Sequence, residues 1–284
     1  MKYIKSTEWT GNDMLYLVAT PIGNLGDISR RALEVLEGCD IIACEDTRHT
    51  LKLLNAYGIK KQLMAFHMHN EKEAGEKLVE KALGGSTICL VSDAGCPGIS
   101  DPGEYLVKLF HENNLEVSVI PGPNAALSAL MVSGLSTSRF VFEGFLPSQG
   151  KGRRDMLEKL CSEERTMVFY EAPHRIGKTL CDMKEILGSD RQSAVVKEIT
   201  KLHETISRGT LATLCEKFSD DNHKGEFVIV VEGGVSEFIR PSVTVKERYA
   251  QLIEEGIDRK EAMRTVAKEF SISRKEVYSK VNDI

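Results

Sequence analysis

The sequence predicts an α/β protein: a mainly parallel sheet, then a mixed sheet, then a small helical extension. Three observations carry that reading. Apolar runs of strand length alternate with helical patterns from Met14 to Pro121, a second α/β series follows from Phe140, and after Gly233-Gly234 the composition shifts to short amphipathic helices. The expected divisions are a first α/β domain over residues 1–121, a second over 122–236 and a helix-turn-helix-like extension over 237–284.

The first strand, residues 14–19, is the apolar run Met14-Leu15-Tyr16-Leu17-Val18-Ala19. It leads into Thr20-Pro21-Ile22-Gly23-Asn24-Leu25-Gly26-Asp27, where Asp27 is placed to cap a helix over 27–38. Strand 40–44 leads to Glu45-Asp46-Thr47-Arg48 and a helix over 47–56, which Asp46 or Thr47 can cap. Strand 62–66 and helix 70–83 follow. A buried strand over 86–91 then opens into residues 92–103, the most informative stretch of the chain. Its glycines at 95, 98 and 103 allow close backbone approach, Pro97 and Pro102 stiffen the turn, and Asp93 and Asp101 offer acceptors to hydroxyl or amino groups. Helix 103–112 and strand 116–120 lead to a third loop, Pro121-Gly122-Pro123-Asn124-Ala125-Ala126. Three Gly/Pro loops at the carboxyl ends of strands are where an open α/β sheet binds its ligand; the alternative is a set of structural turns.

In the second series, strands are expected at 139–143, 165–170, 191–198, 203–208 and 226–231, with helices at 123–134, 151–161, 174–187 and 210–217. The short spacing between 191 and 208 implies antiparallel pairing, hence a mixed sheet. Three amphipathic helices, 246–256, 258–270 and 273–281, end the chain. The last two, turning at Ser271-Ile272-Ser273, present Arg274 and Lys275 either to RNA or to solvent.

The net charge of −5 argues against a nonspecific nucleic-acid coat without excluding a local basic face. The seven cysteines contain no Cys-x-x-Cys pair and read as reduced core thiols. His67-Met68-His69 lacks a third ligand at suitable spacing, so no metal is expected. No apolar run approaches the roughly 20 residues of a membrane span, and the polar start lacks a signal-peptide core, so a cytoplasmic protein is expected.

The three loops, together with Glu45-Asp46-Thr47-Arg48, Phe142-Glu143-Gly144-Phe145-Leu146-Pro147 and Tyr170-Glu171-Ala172-Pro173-His174-Arg175, resemble the tetrapyrrole methylase family. The resemblance runs from about Leu15 to Gly234 and implies two α/β domains with S-adenosylmethionine held in the cleft between them. Within that family the chain looks like the branch acting on small-subunit ribosomal RNA. That implies methylation of the ribose 2′-hydroxyl of a decoding-centre cytidine in 16S rRNA by a homodimer. Porphyrinoid-modifying relatives usually carry a Gly-x-Gly-Pro-Gly-Asp type first loop. Here Thr20 through Asp27 replace it, which favours RNA over a corrin ring. By resemblance, the cofactor pocket draws on Pro21, on Asp93, Ala94, Gly95, Pro97, Gly98, Ile99 and Ser100, on Pro121 and Gly122, and on Ala172 and Pro173.

A ribose hydroxyl is a poor nucleophile at neutral pH, so a base or a stabilising cation is needed. Candidates are Glu45, Asp46, Arg48, Arg175, Lys197 and Glu198. An alternating strand puts Lys197 and Glu198 on opposite faces, so only one can face a cleft. The basic loop Gln149-Gly150-Lys151-Gly152-Arg153-Arg154 is expected to grip phosphate through Lys151, Arg153 and Arg154, a solvated face being the bland alternative. Three other readings stay open. A dinucleotide enzyme is suggested by Gly23, Gly26 and the acids about 20 residues on, though the glycine pattern is incomplete. A porphyrinoid methyltransferase and a non-enzymatic ribosome-assembly factor are the others.

Overall fold

A computed structural model describes residues 14–220, 222–234, 243–270 and 272–281. The described residues up to Gly233 form one compact unit, and those from Gly234 on form a second. The expected division between 236 and 237, and Ser271 of the expected turn, lie outside the described residues.

The first sheet is built from β1 (Met14–Val18), β2 (Ile41–Cys44), β3 (Gln62–Ala65), β4 (Ile88–Val91) and β5 (Glu116–Ile120), in the order β3-β2-β4-β1-β5. Every pairing is parallel. Helices α1 (Arg30–Gly38), α2 (Thr47–Ala56), α3 (Glu71–Leu83) and α4 (Glu104–Glu112) connect the strands. Both faces are covered, which is why the strands read as continuous apolar runs. Leu15, Ile41 and Leu90 pack with Leu78 and Phe110 on one face; Val18, Ile42 and Val91 pack with Leu36 and Leu54 on the other. Ser29, not Asp27, caps α1, accepting from the Ala32 N–H at 3.0 Å. Asp27 instead closes a short 3-10 turn over Leu25–Asp27.

The next helix, α5 (Ala125–Ser133), crosses to the second sheet and buries Ala126, Ala129 and Leu130 against Val168, Val196 and Val228. That sheet comprises β6 (Phe140–Phe145), β7 (Thr166–Glu171), β8 (Gln192–Lys197), β9 (Thr205–Thr210) and β10 (Phe227–Val231), ordered β6-β7-β10-β8-β9. It is mixed: β6 and β7 are parallel, the other pairs antiparallel. On its far face, α6 (Gly150–Leu160), α7 (Ile176–Leu187) and α8 (Leu211–Lys217) bury Leu157, Leu180 and Leu214 against Met167, Phe169 and Ile229. The reading of all cysteines as reduced thiols is corrected here. Cys181 of α7 and Cys215 of α8 face each other at a Cα separation of 5.3 Å and form a disulfide. Their apolar helical contexts concealed the pairing, because nothing local in sequence brings positions 34 residues apart together.

The second unit packs α9 (Val245–Glu254), α10 (Arg259–Glu269) and α11 (Arg274–Val281) around Leu252, Ala262, Val266 and Val277. Thr244 and Glu247 form a reciprocal capping box at the start of α9, and Arg248 pairs with Glu269 at 2.8 Å.

Candidate active site

The three Gly/Pro loops converge at the carboxyl end of the parallel sheet. The loops after β1 and β4 are stitched by paired backbone bonds between Thr20 and Gly95, at 2.9 and 3.2 Å. The loop after β5 is held against β1 by close backbone approach at Gly122, where a Cβ would lie 3.0 Å from that of Ala19. Asn124 accepts from the Leu127 N–H at 2.9 Å, capping α5, and so fixes where the second half departs. Between these loops and the second sheet lies a cavity of about 390 Å³. That size falls among small-molecule sites, which span roughly 300–1,000 Å³.

The end of β7 supplies the opposing wall through Tyr170, Glu171, Ala172 and Pro173. Glu171 is almost wholly buried, its side chain 1% exposed, and fully engaged. It accepts from the Ala172 N–H at 2.7 Å and the Thr179 hydroxyl at 2.6 Å, and pairs with Arg175 Nε. A buried carboxylate needs this much compensation, and the result is a rigid Ala172-Pro173 wall. Phe145 at the rim is 56% exposed and packs edge-on against Tyr170. Gly23 meets Lys201 so closely that a Cβ would lie 2.4 Å from its Cγ, bringing the first loop against the turn after β8.

Four carboxylates line the cavity, Asp93, Asp101, Glu171 and Glu226, and no Lys, Arg or His is among its lining residues. Such a wall suits a cationic ligand, as adenosylmethionine is at its sulfonium and ammonium groups. The pyrophosphate of a dinucleotide would lack a cationic partner there. Burial, followed by the Glu45 charge, pushes the Asp101 carboxyl up to about 6; the neighbouring Ser92 hydroxyl offsets part of the rise. Burial likewise pushes the Tyr170 phenol up.

Comparison with known proteins decides the family. The model of the Tetrapyrrole (Corrin/Porphyrin) Methylases matches residues 14–215. The chain belongs to the tetrapyrrole methylase family. It is 46% identical to ribosomal RNA small subunit methyltransferase I of Synechocystis sp. over 93% of this chain and 96% of that protein. It is also 46% identical to the protein of the same name from Haemophilus influenzae, over 96% of each chain. Among solved structures it resembles uroporphyrin-III-C-methyltransferase from Thermus thermophilus, with TM-score 0.56 and 17% identity over 78% of this chain and 94% of that one. At that identity the likeness concerns the fold.

Within this tetrapyrrole methylase architecture, the expected residues separate clearly. Asp93, Ala94, Gly95, Ile99, Ser100, Ala172 and Pro173 line the cavity; Pro21, Pro97, Gly98, Pro121 and Gly122 shape the loops behind it without lining it. Asp93 has a second task, since its Oδ1 accepts the Asp46 N–H at 3.3 Å and ties the loop to the end of β2. The catalytic candidates mostly have other occupations. Arg48 is exposed and pairs with Asp46 at 2.7 Å, the same carboxylate that caps α2; those bonds hold Asp46 well below the usual carboxylate range. Glu45 is exposed beside the cavity and does not line it. Arg175, the N-cap of α7, is the partner of buried Glu171 and so is not a free cation for the substrate. Lys197 extends over the Phe227 ring at 5.8 Å, and Glu198 bonds Lys201 and the Glu226 N–H, so neither lines the cavity. Those bonds outweigh burial and hold the Glu198 carboxyl below its ordinary value.

The basic loop is corrected as well. Residues 150–154 form the first turns of α6, and Arg153 is only 6% exposed, bonded to Asp182 of α7 at 2.6 Å. Arg154 bridges Asp182 and Glu185 at 2.8 and 2.7 Å. Lys151 is exposed, as are Arg274 and Lys275 on α11. The cavity residues missed as site candidates include Asp101, Tyr170, Glu171 and Phe145. Asp101 was visible as an acceptor in the central loop and the others lay inside the family motifs, so their signal was present; their burial and partners were not.

Proposed function

We propose that this protein is an S-adenosylmethionine-dependent methyltransferase acting on the ribose 2′-hydroxyl of a decoding-centre cytidine in 16S rRNA. The substrate is the assembled small ribosomal subunit and the working form a cytoplasmic homodimer. The observation that carries this reading is the 46% identity to small subunit methyltransferases I over nearly the whole of both chains. The first loop, Thr20 through Asp27, agrees with it, because it departs from the glycine pattern usual in porphyrinoid enzymes.

The methyl donor supplies an electrophilic methyl on a sulfonium centre. The chain's own contribution is positional and electrostatic. Asp93 presents negative charge to a cationic donor, and the backbone of Ala94, Gly95, Cys96, Ile99 and Ser100 closes around its polar ends. Glu171 keeps Ala172 and Pro173 fixed against it. Exposed Phe145 offers a face on which an unstacked base can rest. Lys151, Arg274 and Lys275 contact RNA phosphates.

Labelled methyl transfer from adenosylmethionine to unmodified small subunits, free 16S rRNA and a porphyrinoid precursor, followed by nucleoside mass analysis, tests the proposal. The expected product is 2′-O-methylcytidine, formed preferentially on the particle. Label on the porphyrinoid alone overturns the RNA reading. RNA binding without adenosylmethionine binding would make the protein an assembly factor.

A further inference from the structure

We infer that Asp101 is the catalytic base that takes the proton from the attacking ribose hydroxyl. The inference rests on the methyltransferase reading above and adds to it the residue that none of the family motifs singled out for this role. Among the four cavity carboxylates, Asp101 alone accepts no backbone N–H and pairs with no cation among the described residues. Asp93 accepts the Asp46 N–H, Glu171 is saturated by Arg175, Thr179 and Ala172, and Glu226 pairs with Lys201 at 2.9 Å. The other three carboxylates already accept from protein donors; Asp101 is the one left free to accept a proton from a substrate.

The backbone around Asp101 is built to hold it there. Ser100 adopts φ 63°, a left-handed conformation uncommon for a residue with a side chain. Its Oγ sits where a Cβ on Gly144 of β6 would come within 3.2 Å, so this bend of the loop is seated against the second sheet. On the other side, Gly103 packs so tightly on Gly98 that an added Cβ would lie 3.0 Å from its Cα and N. The strained residue and the close glycine pair bracket Asp101 and hold its backbone in place beside the cavity.

The groups that face Asp101 are Glu45 from the end of β2, Asp93 and Ser92 from its own loop, and Tyr170 from β7. Two are carboxylates, which favour protonation of a third. Ser92 is 3% exposed and its hydroxyl has no hydrogen-bond partner of normal geometry among the described residues. The consequence is a carboxyl poised at about 6, low enough to be ionised at neutral pH and more basic than an ordinary aspartate. In the transfer, the ribose O–H bond breaks with its proton passing to an Asp101 Oδ. The ribose oxygen forms its bond to the methyl carbon, and the carbon–sulfur bond breaks with its electron pair left on sulfur.

The test uses the full chain and three readouts. A carboxyl-carbon NMR titration should give an aspartate signal with its midpoint near 6 that is absent from Asp101→Asn. Calorimetry should show that Asp101→Asn binds adenosylmethionine within about threefold of the parent protein. Single-turnover methyl transfer to unmodified small subunits should rise with pH through about 6 and level off. Asp101→Asn should lose that limb and fall roughly 100- to 10,000-fold, with Asp101→Glu recovering part of the rate. Retention of the rate or of the limb by Asp101→Asn, or loss of donor affinity in proportion to the rate, overturns the inference while leaving the methyltransferase reading intact. Absence of methyl transfer by the parent protein overturns both.

Discussion

Glu171 shows how much the site depends on one buried charge. Its carboxylate has Arg175, Thr179 and the Ala172 N–H as partners, and its side chain is 1% exposed. Removing one member of a buried pair strands the other, which costs about 3–5 kcal/mol. Glu171→Gln should therefore lose about 3 kcal/mol in urea unfolding and weaken adenosylmethionine binding. Adding Arg175→Met should recover much of the stability, since no charge is then orphaned; a double variant worse than the single would show that the pair matters in some other way. The arginines of α6 lead to a prediction of opposite kind. Arg153 and Arg154 are spent on Asp182 and Glu185, whereas Lys151 is exposed. Each phosphate contact contributes about 0.7–0.9 to the slope of log affinity against log salt. Lys151→Ala should flatten the salt dependence of RNA binding by about that amount, and Arg153→Ala should leave the slope alone while destabilising the fold. An equal slope change in both variants would return the arginines to the RNA interface.

At the scale of elements, the helices of the second half are packed to the limit of backbone contact. Gly177 in α7 faces the Phe218 carbonyl, and an added Cβ would lie 2.3 Å from that oxygen. The obstacle is backbone, so α7 must shift, and overpacking of this kind costs about 1–3 kcal/mol. Gly177→Ala should lower the urea midpoint accordingly, although alanine favours helix by about 1 kcal/mol over glycine; an unchanged midpoint would mean α7 slides freely on α8. Elements like these were readable because their signals are local. The apolar run of β1, the span Thr47–Ala56 of α2 under its Asp46 cap, and the close spacing that makes β8 and β9 antiparallel all follow from neighbours in sequence. The site was legible as three loops and a motif, again local features. What escaped was pairing at a distance. Arg153 and Asp182 are 29 residues apart, so a sequence rich in Gly, Lys and Arg read as a phosphate grip when its charges were already answered on α7. The Cys181–Cys215 bond and the role of Arg175 escaped for the same reason, a partner supplied only by the packed fold.

For the molecule as a whole, the cavity carries a cost that stability measurements can read. The folded protein holds the Asp101 carboxyl at about 6 against an ordinary 3.8, because burial and Glu45 disfavour its charge. Between those two values the native state binds more protons than the unfolded state, so stability falls as pH rises through that window and the cost is complete above it. The shift alone corresponds to about 3 kcal/mol, reduced to the order of 1–2 kcal/mol once solvent screening of a half-buried group is allowed for. Asp101→Asn removes the titration while keeping size and polarity. At pH 7 the variant should therefore be more stable than the parent by about 1–2 kcal/mol in urea unfolding, and the gain should shrink toward zero at about pH 4. Comparing the two proteins at each pH cancels the other titrating groups. A variant that is less stable at pH 7 would mean that the Asp101 charge is welcomed by the fold, and would remove the basis for its raised basicity. A variant that gains stability while losing the chemical step would show the trade expected of an active site, in which a charge disfavoured in the resting protein is kept for its reaction.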